Sequence, residues 1–246
     1  MQELVDPFFY NYIIFFNPGM IRDNVLKIKE RIREICSSTG VNPDDIRVVA
    51  VSKNRTPEEI KEVLEAGIID IGENRVQEAF SKYINLKNIP FIRWHMVGHL
   101  QTNKVKDAVR IFDLIHSLDS LHLAERLNRH AEKINKVQEV LIEVKTSPEP
   151  HKFGIVPAGV RKFIQEIIAF KNLKIKGLMT IAPYFPEPEA SRSFFRTLRE
   201  LKDEINQSIE VIKLEILSMG MSNDFEVALQ EGANMLRIGR RIFEGE

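Results

Sequence analysis

The stretch IKLEILSMGMSNDFEVALQEGANMLRIGR, residues 212–240, decides the fold. Residues 212–217 form an apolar run that reads as a strand. Ser218-Met219-Gly220-Met221-Ser222 leaves that strand and opens a helix over 222–231, where Phe225, Ala228 and Leu229 recur at i, i+3 and i+4. Gly232 stops the helix. The next strand, 235–238, ends in Arg237-Ile238-Gly239-Arg240. Two consecutive strand ends with small residues and a hydroxyl can build a phosphate cradle. Backbone N–H groups at a helix start are unpaired and lie at the positive end of the helix dipole, so they attract anions.

The same alternation extends back to about residue 20. Strands are predicted at 47–52, 69–72, 92–97, 114–118, 139–146 and 175–181, ahead of the two above. A helix over 21–38 carries Val25, Ile28, Ile32 and Ile35 on one face. Thr56-Pro57-Glu58-Glu59 is a capping box with proline at the first helical position, and its helix closes at Gly67. Further helices are predicted at 75–83, 102–109, 121–134, 156–170 and 188–205. The eight strands are β-branched runs with little polar alternation, as expected when both faces are covered. The reading is an α/β fold, a single (β/α)8 TIM barrel with an extra N-terminal helix. A doubly wound open sheet is the alternative.

Bulk properties narrow the function classes. The chain has 246 residues, with 35 Lys+Arg against 35 Asp+Glu, so no basic excess points to nucleic acid or to an anionic membrane. Cys36 is the single cysteine, on the apolar face of the first helix, so no disulfide can form within the chain; this suits a cytoplasmic location. Residues 1–19 are atypical. Phe8, Phe9, Tyr10, Tyr12, Phe15 and Phe16 crowd into a run too short to span a bilayer, and Glu3 and Asp6 argue against a signal peptide. The expectation is that Met20 is the native start, or that the extension packs on the body formed by 20–246.

Chemically capable residues fall at strand ends: Lys53, Asn74, His95, Ser117, Asp119, Lys145, Thr180, Ser222 and Arg237. In a barrel these converge on one mouth, and the loops after strands seven and eight often bind phosphate there. Lys53 follows an apolar strand, so its amine is expected in a partly dry mouth, where burial or a nearby cation favours the neutral nucleophile. His95 and His99, four apart, lack cysteine or acidic companions, so no metal site is assigned.

The runs Val51-Ser52-Lys53, Gly72-Glu73-Asn74, Trp94-His95-Met96-Val97-Gly98, Leu100-Gln101-Thr102-Asn103-Lys104, Lys152-Phe153-Gly154, Gly177-Leu178-Met179-Thr180, Ser218-Met219-Gly220-Met221-Ser222 and Arg237-Ile238-Gly239 occur in that order. Together they resemble the pyridoxal phosphate homeostasis protein family, which is similar to the barrel domain of bacterial alanine racemases. The resemblance implies that residues 20–246 form a pyridoxal 5'-phosphate (PLP) binding barrel. It implies Lys53 as the Schiff-base lysine, and Ser222, Gly239 and Arg240 at the phosphate. Arg237 would face the pyridine nitrogen, Asn74 would lie beside the ring, and Met179 and Met221 would line the pocket. The chain departs from the family in having Arg240 where many members carry a small or hydroxyl residue, in Glu244 placed before the usual glycine, and in the aromatic extension.

The resemblance implies a PLP carrier that keeps free aldehyde low and makes transient contact with PLP-dependent apo-enzymes, as a monomer or weak dimer. A guanidinium at the pyridine nitrogen cannot accept its proton, which restrains carbanion chemistry. The alternative is a low-activity amino-acid racemase, with Lys53 as one base and His95 or a water as the other. A barrel that binds a sugar phosphate without PLP is a third reading.

Overall fold

The computed structural model describes residues 19–149 and 152–245. The expectation about the aromatic extension falls on residues 1–18, outside these. The strands are β1 (Arg47–Val51), β2 (Asp70–Glu73), β3 (Arg93–Met96), β4 (Leu114–Leu118), β5 (Gln138–Glu143), β6 (Leu173–Met179), β7 (Ile216–Ser218) and β8 (Met235–Ile238). They pair in parallel in chain order, and β8 returns to β1 to close the barrel. This is the (β/α)8 architecture expected from the sequence, in place of an open sheet.

The strands read as continuous apolar runs because both faces are buried. Val49, Val97, Leu114, Leu141, Met179, Ile216 and Met235 pack together inside the barrel. Their chain neighbours, such as Val48, Ala50, Ile115, Ile142 and Leu178, join the larger core between strands and helices. Strand periodicity alone thus sorts each residue into one of two cores.

The helices are α1 (Met20–Thr39), α2 (Pro57–Glu65), α3 (Val76–Asn85), α4 (Val105–Ile111), α5 (Leu121–Glu132), α6 (Pro157–Ile167), α7 (Arg192–Ser208), α8 (Phe225–Gln230) and α9 (Arg240–Phe243). The α2 capping box is present, with Glu59 N donating to Thr56 Oγ1 and Thr56 N to a Glu59 carboxylate oxygen. The extra helix α1 is part of the ring. It buries Ile21, Val25, Ile28, Ile32, Ile35 and Cys36 and packs against α2, α8 and α9. It thereby covers the sector that the short α8 and α9 leave open. No helix among the described residues is long and apolar enough to cross a membrane.

Several element ends shift by a few residues from expectation, and two of these shifts lie in the quoted stretch. β7 occupies only Ile216–Ser218, because side chains take over the backbone partners that a longer ladder would supply. Asn206 bonds both Leu214 N (2.8 Å) and Leu214 O (3.0 Å), and Asn234 Oδ1 accepts from Leu217 N (2.8 Å). The helix expected from Ser222 starts at Phe225, because Asp224 Oδ1 accepts from Met221 N at 2.7 Å and holds residues 222–224 in a turn.

Candidate functional site

The C-terminal ends of the strands enclose a cleft of about 280 Å³. Lys53, Asn74, Met221, Ser222, Arg237, Gly239 and Arg240 all line it. Met179, the eighth sequence candidate, does not. It is fully buried in the inner core, and Ile181, two residues further along the same inward face, lines the cleft at β6. The sequence reading placed it one pleat too high.

Lys53 is exposed in the cleft, which differs from the expected dry amine, and among the described residues its ammonium has no hydrogen bond or ion pair. The strand end carrying it is anchored from below. Ser52 is fully buried, its hydroxyl donates to Glu73 Oε1 (2.6 Å), and Lys82 Nζ donates to both Ser52 O and Glu73 Oε1 (2.5 Å each). Asn74 sits at the neighbouring strand end. A Cβ at Gly98 would come within 2.5 Å of Asn74 O, so glycine lets these two loops close on one another.

The opposite wall is a cradle of unpaired donors. The N–H groups of Ser222 and Asn223 make no hydrogen bond among the described residues, and that of Arg240, first in α9, has no intrahelical partner. Arg241 N donates to Ser222 Oγ at 3.4 Å, tying the two strand-end runs together. Gly220 makes the turn possible. Its φ is +89°, and a Cβ there would lie 2.6 Å from Ala228 Cβ. Successive free N–H groups in a turn make an anion-binding concavity without needing a long helix behind them. Arg240 adds an exposed cation, without a partner among the described residues.

Arg237 forms the floor. It points inward, so it pairs with neither Glu231 nor Glu244; Arg192, Arg196 and Arg199 hold the former and Arg55 the latter. Nη1 donates to Ser218 Oγ (2.6 Å) and Nη2 to Thr180 O (2.8 Å). Burial pushes its pKa down to about 10, while the charges of Asp224 and Glu143 oppose the shift. The guanidinium therefore remains cationic at neutral pH.

His95 is not at the mouth. It is buried in the barrel, with Nδ1 2.9 Å from His116 Nε2 and Nε2 2.9 Å from Asp70 Oδ1. His99 instead stacks on Phe153 at the rim, with ring centroids 3.7 Å apart, and lies 3.3 Å from Asp119. The two rings share no ligand position, and the racemase reading loses His95 as its second base. Sequence reasoning passed over Glu143, at the end of β5. Burial, with Asp119 nearby, pushes its carboxyl up to about 7, against the pull of Arg237. Its signal was a carboxylate directly after the apolar run Val140-Leu141-Ile142.

A family model described as "Alanine racemase, N-terminal domain" matches residues 22–245. A relative in Aquifex aeolicus, named pyridoxal phosphate homeostasis protein, is 43% identical over 221 residues, covering 90% of this chain and 96% of its own. The chain belongs to the pyridoxal phosphate homeostasis protein family. A second family member, from Synechocystis, is 39% identical over 82% of this chain and 92% of its own. Among solved structures, PipY of Synechococcus elongatus, determined with PLP bound, superposes with a TM-score of 0.79 at 38% identity. That match covers 88% of this chain and 99% of PipY. The family resemblance drawn from the ordered motifs thus holds along nearly the whole described chain.

Proposed function

We propose that this chain binds PLP covalently on Lys53, as a Schiff base, and serves PLP homeostasis in the cytoplasm by holding the cofactor and passing it to apo-enzymes. One observation carries the reading. A single cleft brings an amine without a partner together with unpaired N–H groups and a buried guanidinium. These match the aldehyde, the phosphate and the ring nitrogen of PLP, and PipY, at 38% identity, is a structure with PLP bound.

When bound, PLP supplies an electrophilic aldehyde on an electron-withdrawing ring. The residues of the chain do the rest. Ser222, Gly239 and Arg240 receive the phosphate through N–H groups and the Arg240 charge. Asn74 would lie beside the ring, and Met221 would line the pocket. Arg237 donates to the ring nitrogen and cannot take part in its protonation, which keeps the electron sink weak and favours a carrier over a catalyst. Exposure of Lys53 suits a protein that must release as well as hold.

Borohydride reduction of the loaded protein followed by peptide mass mapping tests the assignment. A pyridoxyl adduct on Lys53, lost in Lys53→Ala, is the expected outcome; an adduct on Lys104 or Lys152 refutes it. Deuterium exchange at the α-carbon of alanine separates the carrier from the racemase, and exchange at rates near those of dedicated racemases rejects the carrier.

A further inference from the structure

A line of buried polar side chains runs from the floor of the cleft to the opposite face of the barrel. Arg237 Nη1 donates to Ser218 Oγ (2.6 Å), which lies 3.0 Å from His116 Nδ1. His116 Nε2 lies 2.9 Å from His95 Nδ1, and His95 Nε2 lies 2.9 Å from Asp70 Oδ1. Arg93 Nη2 closes the line by donating to Asp70 Oδ2 at 2.8 Å. Every member except Arg93 is at least nine-tenths buried. β4 and β7 are not neighbours in the sheet, so the bond from Ser218 to His116 crosses the barrel interior.

The chemistry of the two ends dictates every proton between them. Arginine has only donors, so Ser218 Oγ accepts from Arg237 and directs its own proton to His116 Nδ1. Burial, with the Arg237 charge nearby, pushes His116 well below the ordinary imidazole value, so it is neutral, and with Nδ1 accepting from Ser218 it carries its proton on Nε2. That proton goes to His95 Nδ1, and His95 then donates through Nε2 to Asp70. Burial pushes Asp70 upward, but His95, Arg93 and Arg47 outweigh it and hold the carboxyl below its ordinary value. An ionised carboxylate is acceptor-only, so the line ends where it must.

We infer that Ser218, His116, His95 and Asp70 are positioning residues. They form a one-way hydrogen-bonded line that fixes the Arg237 guanidinium so that its remaining donors face the ring nitrogen of the cofactor. Nη1 and Nη2 each commit one proton to the wall, through Ser218 and Thr180, and the other donors are left for the cleft. Dipoles aligned in a low-dielectric interior reinforce one another, so the Asp70 charge steadies a contact on the far side of the barrel. The inference rests on the PLP reading above only for what Arg237 faces.

Asp70→Asn is the informative variant, because residue 70 does not line the cleft. An amide oriented to accept from Arg93 presents its NH2 group to His95, which reverses the line and leaves the Ser218 proton without an acceptor. Long-range proton–nitrogen NMR of the unloaded protein is expected to show both rings as Nε2–H tautomers, and His116 as inverted or mixed in Asp70→Asn. Binding of PLP is then compared with binding of 1-deaza-PLP, which has carbon in place of the ring nitrogen. The variant is expected to lose about tenfold in affinity for PLP, the worth of one hydrogen bond, and little for the deaza compound. Ser218→Ala is expected to reproduce that selectivity. An Nδ1–H tautomer of His116 in the wild type, a His116 ring unmoved by Asp70→Asn, or equal loss for both ligands overturns the inference. If the wild type fails to bind PLP, the function proposed above falls instead, and the tautomers alone decide the line.

Discussion

Replacing Lys82 by methionine tests the anchor beneath Lys53. In the native protein Glu73 is fully buried and Lys82 is 7% exposed, with Nζ 2.5 Å from Oε1. Glu73 Oε2 has no hydrogen-bond partner, so the carboxylate depends on Lys82 and the Ser52 hydroxyl. Methionine keeps most of the stem's packing and removes the charge. The carboxylate is then buried with one neutral donor, and Ser52 O loses its bond to Nζ. Breaking one side of a buried pair costs about 3–5 kcal/mol, a large fraction of the roughly 5–15 kcal/mol that holds a typical domain together. With a urea slope on the order of 2–3 kcal/mol/M, the midpoint should fall by about 1–2.5 M. Glu73→Gln added to Lys82→Met removes the stranded charge and should restore stability to within about 1 kcal/mol of the wild type. Urea unfolding followed by circular dichroism and tryptophan fluorescence measures all three. A loss below about 1 kcal/mol in Lys82→Met, or a double variant no more stable than the single, refutes the reasoning.

Three further outcomes follow from the same geometry. Because the folded value of Glu143, about 7, lies above its ordinary value, its contribution to stability is full below pH 4.5 and is lost as pH rises through 7. Glu143→Gln, which mimics the protonated form, should therefore be more stable than the wild type by roughly 3 kcal/mol at pH 8.5 and should match it near pH 4 in the same urea assay. Gly220→Ala forces a side chain into φ +89° and against Ala228, at a cost of about 2–4 kcal/mol; inorganic phosphate should compete with PLP less well in this variant. Asn206→Ala removes both bonds to Leu214 and should destabilise by about 1–3 kcal/mol, read by urea unfolding, while leaving the yield of Lys53 adduct unchanged.

The fold and the candidate residues were legible for related reasons. A parallel barrel buries both faces of each strand, so strands appear as apolar runs. Its loops put function at strand ends, so Lys53, Asn74, Ser222, Arg237, Gly239 and Arg240 could be located by position along the chain. Depth within the barrel was less legible. Met179 and Ile181 share one inward face, and only the height of the closed barrel separates core from cleft. Ends of elements were misplaced where Asn206, Asp224 and Asn234 substitute for backbone partners, since a side-chain amide or carboxylate leaves no periodic mark.

The sequence by itself determined the alternation of strands and helices, the ordered motifs and several of the residues at the mouth, because these depend on local periodicity and on short runs. Only the tertiary structure decided that Lys53 is open to solvent, that His95 is a buried link instead of a base, and that Arg237 is tied through Ser218 and His116 to Asp70. His116 and Ser218 lie 102 residues apart in the chain and 3.0 Å apart across the barrel. No local pattern encodes such a contact; it exists because β8 closes on β1 and brings opposite walls within hydrogen-bonding reach.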